Sequence, residues 1–217
     1  MNKKVLVIAL VLVLAVGSVF AAKKADVKAG VQLGYGADSI TVAGTGDLAG
    51  YSTNVMHSGF YGAFTFEYGL NEDLSFKAEA GVNTMGKTKL TIKTKSFGSN
   101  QSDSEDENTP INFTVFAGAI YNIELNKQLS VYVGGGVDML IGKISSDEDA
   151  DTNAAIGIGA EAGVSYAIDK KLSINAGGKF GWHFVNTCDD IEKYKEGDSY
   201  STTNISYKFY AGATYAL

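Results

Sequence analysis

The chain has 217 residues, with 18 Lys and Arg (all of them lysine) against 24 Asp and Glu, and a formal net charge of −6. A negative chain with dispersed lysines does not fit a nucleic-acid binder. A single cysteine, Cys188, excludes a domain stapled by internal disulfides.

The first element is an export leader. Residues 1–21 carry Lys3 and Lys4, an apolar run over 5–16, and Val19 and Ala21 at the −3 and −1 positions of a cleavage site. These are the three parts of a secretory signal peptide. The run is too short for a spanning helix, and no later run reaches that length. The expected organisation is a signal peptide over 1–21 and one domain over 22–217. Its loss removes two lysines, so the mature chain is more acidic still.

Eight segments then alternate with period 2, the signature of strands. They cover 27–35, 60–68, 74–83, 111–121, 129–141, 156–166, 172–184 and 205–217. One face of each is apolar, as in Val27, Ala29, Val31, Leu33 and Tyr35 of the first. The other face is rich in Gly, Ser and Thr. It also takes every charged residue of the strand cores: Lys28, Glu67, Lys77, Glu79, Asp138, Glu161, Lys179 and Lys208.

The connections alternate in length. Strands two and three, four and five, and six and seven are joined by short turns, around GLNEDL, NIELNKQ and AIDKK. Each turn follows a tyrosine (Tyr68, Tyr121, Tyr166) and leads into Leu-Ser, with Asn or Asp supplying turn chemistry. The other connections are long, over 38–56, 86–109, 143–154 and 186–203.

This pattern points to an all-β, eight-stranded antiparallel up-and-down transmembrane β-barrel. Its short turns are periplasmic and its long loops extracellular. In hydrocarbon every backbone polar group needs a partner, so a spanning sheet must close on itself. A soluble lipocalin-like barrel would put the bulky apolar face inside and overfill the interior. The ends of the apolar face carry aromatics instead. Tyr68, Tyr121, Tyr166 and Tyr215 end the rows on the short-turn side. Tyr35, Phe60, Phe113, Trp182, Phe184 and Tyr207 cluster toward the other rim. Two aromatic girdles around an aliphatic band mark two membrane interfaces.

With these features the mature chain resembles the small bacterial outer-membrane barrels of the outer-membrane protein A, protein X and opacity-protein type. Its C-terminal Tyr210-x-Gly212-x-x-Tyr215-x-Leu217 is similar to the signal by which barrel-assembly machinery recognises its clients, although such strands usually end in Phe. The resemblance implies the bacterial outer membrane as location. It also implies outer-membrane lipid as solvent, and periplasmic chaperones and the assembly machinery as partners during biogenesis.

Inside such a barrel the four lysines meet four carboxylates. Aligning Tyr68 with Leu74 sets Glu67 diagonal to Lys77, and aligning Tyr166 with Leu172 sets Glu161 diagonal to Lys179. Buried charges need partners, and eight staves leave room for little beyond their own side chains. The expected lumen is therefore a polar network that plugs it. A narrow channel for small or hydrophobic solutes is the alternative. A lipid-A-modifying enzyme would use His57 or His183, with Asp138 at a similar height to His183, but no catalytic set is expected. The loop acids, among them Asp147, Glu148, Asp149, Asp151, Asp189, Asp190, Glu192, Glu196 and Asp198, lack the spacing of a calcium loop. No metal or cofactor is expected from them. The reading is a monomeric surface barrel presenting acidic loops, for adhesion or envelope integrity, and the loops are where an extracellular ligand would be met.

Overall fold

A computed structural model describes residues 26–44, 52–93, 101–105, 111–143, 152–186 and 200–217. The leader over 1–21, Cys188 and the acidic runs within 144–151 and 187–199 lie outside the described residues. The strands are β1 Val27–Gly44, β2 Ser52–Gly69, β3 Leu74–Lys93, β4 Gln101–Glu105, β5 Ile111–Glu124, β6 Leu129–Lys143, β7 Thr152–Ala167, β8 Leu172–Asn186 and β9 Tyr200–Ala216. All pairings are antiparallel, β5 pairs with β3 rather than with β4, and β1 pairs with β9 from Lys28↔Ala216 to Gly44↔Tyr200. That last ladder closes a ring of eight staves. The short β4 stands outside the ring count. It pairs with the top of β3, from Thr88↔Glu105 to Ile92↔Gln101, beyond the point where β5 ends its own pairing at Thr84↔Ile111.

Period 2 makes one face of each strand look out and the other in. Leu33, Phe64 and Phe209 are 57%, 74% and 67% exposed, while Lys77, Asp138 and Lys179 are buried. The polarity is inverted relative to a protein in water, which is the order a hydrocarbon surround imposes.

The connection expected over 38–56 is mostly strand. β1 continues to Gly44 and β2 begins at Ser52, paired from Asp38↔His57 to Ala43↔Ser52. The β-branched Ile40, Thr41, Val42, Thr53 and Val55 favour this extension. Asn54 Nδ2 fastens it by donating to Ser39 Oγ (2.8 Å) and Thr41 Oγ1 (2.7 Å). Within the connection over 86–109, the alternation of Leu90 and Ile92 among the lysines from Lys87 to Lys95 predicts a hairpin extension of strands three and four, and β3 does run to Lys93 and meet β4.

The three short turns share one geometry. In the first, Leu70 and Asn71 N–H donate to Leu74 O (2.8 and 3.1 Å). The Asn71 side-chain oxygen accepts from the Asp73 and Leu74 N–H groups (3.0 and 2.7 Å). Asn126 does the same for Gln128 and Leu129, and Asp169 for Lys171 and Leu172. Leu74 thus belongs to the turn, and the register differs by two residues from the alignment expected above. Tyr68 pairs with Phe76 and Tyr166 with Ile174. Glu67 therefore lies directly opposite Lys77, and Glu161 directly opposite Lys179, rather than on the diagonal.

Two irregularities shape the upper rim, one between β2 and β3 at Ser58/Gly59 and one between β7 and β8. In the second, Ile156 pairs with Val185 but Gly157 with His183, so Phe184 is an extra residue on β8. This bulge lets Phe184 and Val185 both face outward while His183 stays buried.

Candidate functional site

The inward face converges on a cluster at mid-height. Lys77 and Glu79 come from β3, Glu161 from β7 and Lys179 from β8, and all four are buried. Lys179 Nζ lies 2.5 Å from Glu79 Oε2 and 3.8 Å from Glu161 Oε2. Lys77 Nζ bonds Glu161 Oε1 and lies 3.8 Å from Glu79 Oε2. The two close pairs run between β3 and β7 and between β3 and β8. They tie opposite walls together, although Glu67 and Glu161 are the register neighbours of the two lysines.

Tyrosines complete the coordination. Tyr61 donates its hydroxyl to Glu79 Oε1, and Tyr210 donates to Glu161 Oε1. The Tyr132 and Tyr210 hydroxyls are 2.9 Å apart. With its amide oriented by these neighbours, Gln32 donates to Glu79 Oε2 (3.1 Å) and accepts from Lys77 Nζ (3.2 Å). Lys179 Nζ also sits 4.5 Å from the centre of the Phe116 ring. Each charge is met by an opposite charge and by neutral donors or rings, which is what buried ions require.

A second cluster lies nearer the long connections. Asp138 Oδ2 is 3.1 Å from His183 Nε2 and accepts from Ser206 Oγ (3.3 Å). Lys208 Nζ lies 3.7 Å from Asp138 Oδ1. A Cβ on Gly181 would run into Asp138 Oδ2 and Ser206 Oγ, so only glycine lets these groups meet there. The sequence brought Asp138 and His183 to a similar height, and the fold puts them in contact. The other ring nitrogen, Nδ1, faces Asn204 O at 3.3 Å. No ring nitrogen is thus turned to Ser206, and the contact from base to nucleophile that a hydrolytic triad needs is not formed here.

Two of the eight expected interior charges sit elsewhere. Lys28 and Glu67 are half-buried and line a vestibule of about 230 Å³ at the short-turn end, together with Ser75, Asn122, Ser130 and Asn175. Lys77 and Tyr132 form part of the same lining. One buried carboxylate was not foreseen. Asp38 is 1% exposed and accepts from Asn83 Nδ2 (3.0 Å), beside its register partner His57, which is also buried. Its signal was present, because Asp38 keeps the parity of Lys28 and Gln32. Placing 38–56 in a loop concealed it.

On the outer face Tyr121, Tyr166 and Tyr215 are exposed and Tyr68 half-buried near the short turns. Tyr35, Phe60, Phe113, Trp182, Phe184 and Tyr207 are exposed toward the other end. The Phe180 and Tyr207 rings are 5.6 Å apart, and those of Trp182 and Phe184 6.0 Å. The band between is not purely aliphatic, since Phe64 and Phe66 project from it. Of the C-terminal residues, Tyr210 and Gly212 belong to the inward face, while Tyr215 and Leu217 face out. The Leu217 and Ala216 N–H groups are held by Val27 O (2.9 Å) and Lys171 O (2.8 Å).

The family described as outer membrane protein beta-barrel domain matches residues 8–179. Among solved structures, Neisserial surface protein A is similar with a TM-score of 0.55 and 15% identity, over 90% of this chain and 100% of that one. The outer membrane protein OprG from Pseudomonas aeruginosa gives 0.51 and 12%, over 88% and 96%. No curated protein matches the sequence. At these identities the likeness to solved structures is one of fold.

Proposed function

The chain belongs to the outer membrane protein β-barrel family, and we propose that it is a structural surface barrel whose charged core plugs the lumen. The barrel holds four loop connections outside the cell, their acidic runs available for adhesion or for envelope integrity. The observation that carries this reading is the pair of ion pairs spanning the lumen, Lys77 with Glu161 and Lys179 with Glu79. Export by a leader over 1–21, insertion through the assembly machinery at the C-terminal strand, and a monomeric state complete the proposal. A closed ring leaves no free edge to recruit a second copy. The aromatic rows serve as anchors at the two interfaces.

A solute-swelling assay on proteoliposomes tests the plug. Vesicles carrying the folded protein are expected to swell no faster than empty ones in small sugars. Swelling that depends on solute size would favour the second reading, a narrow channel. That reading draws on one observation. Each lysine of the mid-height cluster has a carboxylate opposite it on an adjacent strand, Glu67 for Lys77 and Glu161 for Lys179, so these side chains swung to the wall would still be paired. Loop function has its own test. Replacing residues 187–199 by a short turn should leave the barrel folded and abolish binding to host-cell or envelope ligands, and unchanged binding would count against it.

A further inference from the structure

The lipid-facing surface is ridged on one side and hollow on another. On β1, β2 and β9 the side chains of Leu33, Phe64 and Phe209 stand far out. On β7, β8 and the upper part of β9 the surface dips into a groove of about 460 Å³, lined by Ile158, Gly159, Ala160, Phe180, Trp182 and Ile205. Ile158, Trp182 and Ile205 are register partners and form one wall. Phe180, paired with Ala160, stands beside the small floor. The floor continues across the next strands through Gly135 and Ala119, which pair in line with Ala160 and are exposed.

We propose that this groove binds one acyl chain of an outer-leaflet lipid. The groove is continuous with the hydrocarbon-facing belt, so a lipid chain is the solvent already in contact with it. Every side chain lining it is apolar apart from the indole N–H. Trp182 lies toward the extracellular end of β8, ten residues above the start of that strand at Leu172. A chain entering beneath it therefore belongs to a lipid whose headgroup sits at the outer interface, level with the indole. A seated chain loses more contact with its neighbours in the bilayer than it would against a flat wall, and gains the two aromatic faces and the floor.

Trp182 is the only tryptophan of the chain and reports directly on the occupant. The full mature protein is folded into unsaturated phosphatidylcholine vesicles doped with a phosphatidylcholine whose otherwise saturated chain carries two mid-chain bromines. Half-quenching of Trp182 is expected at a lower dopant fraction than in Ala160→Phe, because a chain seated in the groove holds its bromines beneath the indole and a chain against the filled floor does not. Ala160→Phe fills the floor and should return quenching to the random curve. Ala160→Leu should move it in the same direction, should the larger variant fail to fold. Ala80→Phe, on the exposed face of β3 across the ring, should behave as the unsubstituted protein. Quenching that tracks the bulk fraction without substitution overturns the proposal. So does an equal effect of the Ala160 and Ala80 variants. Protection of Trp182 from every brominated chain would mean that a second copy covers the groove, and would overturn it as well.

Discussion

A lysine in this barrel has a value set by its depth. Lys179 is buried with Glu79 as its close partner, and Lys28 lies in the open vestibule. Lys179→Met leaves Glu79 and Glu161 with one cation between them, and should cost about 3–5 kcal/mol, the range for breaking a buried pair from one side. The double change Lys179→Met with Glu79→Met should cost less than the single one, because no buried charge is stranded. Lys28→Met should lie within about 0.5 kcal/mol of the unsubstituted protein, as solvated surface changes do. Urea titrations in lipid vesicles, read as the fraction of folded band on an unboiled gel, rank all three, and equal losses at Lys28 and Lys179 would contradict this depth dependence. Parity alone made these charges legible as inward. Their partners were not, because a cross-lumen contact depends on the reach of side chains over a closed ring, which no local spacing encodes. Asp38 shows the other limit, a residue of the right parity that lies beyond the apolar alternation by which the end of the first strand is read.

The three turns are the clearest case of an element written in sequence. The Tyr and Leu-Ser flanks identified them as related. The residue that unites them is the Asn71, Asn126 or Asp169 side chain accepting from two backbone N–H groups. Asn126→Ala should lower stability by about 1 kcal/mol, the net value of such bonds, and a loss indistinguishable from zero would mean the turn is held by its backbone bonds alone. The Lys171 and Leu172 N–H groups hold the Asp169 carboxyl below its ordinary value near 3.8. A carboxyl lowered in the folded state binds its proton more readily when unfolded. Its contribution is therefore full above that ordinary value and fades as pH falls through the lower folded one. Asp169→Asn removes this dependence. The gap in unfolding midpoint between the two proteins should stay level above that ordinary value and narrow as pH falls below it, and a gap unchanged on acidification would refute the assignment. Strand ends were less legible than turns. Above the bilayer the alternation of Ile40 to Val42 and Thr53 to Val55 is short and polar, and only pairing with the neighbouring strand reveals it.

For the molecule as a whole, closure decides everything else. A ring of eight staves was an inference from the need to pair every backbone group in hydrocarbon, and the β1–β9 ladder satisfies it. That seam is tight. A Cβ on Gly34 would lie 2.8 Å from Tyr210 Cα and against the Phe209 backbone, so Gly34→Leu should prevent the seam from closing. Loss of the fast-migrating unboiled band is the expected result, and a normal band would show that the seam tolerates a side chain. Within the closed ring, the core pairs Lys77–Glu161 and Lys179–Glu79 bridge the lumen. On the proposed reading these bridges shut the barrel to ions. Single-channel recording of the folded mature protein in a planar bilayer addresses it most directly. A baseline without stable steps is predicted, and steady, reproducible unitary conductance would contradict the claim.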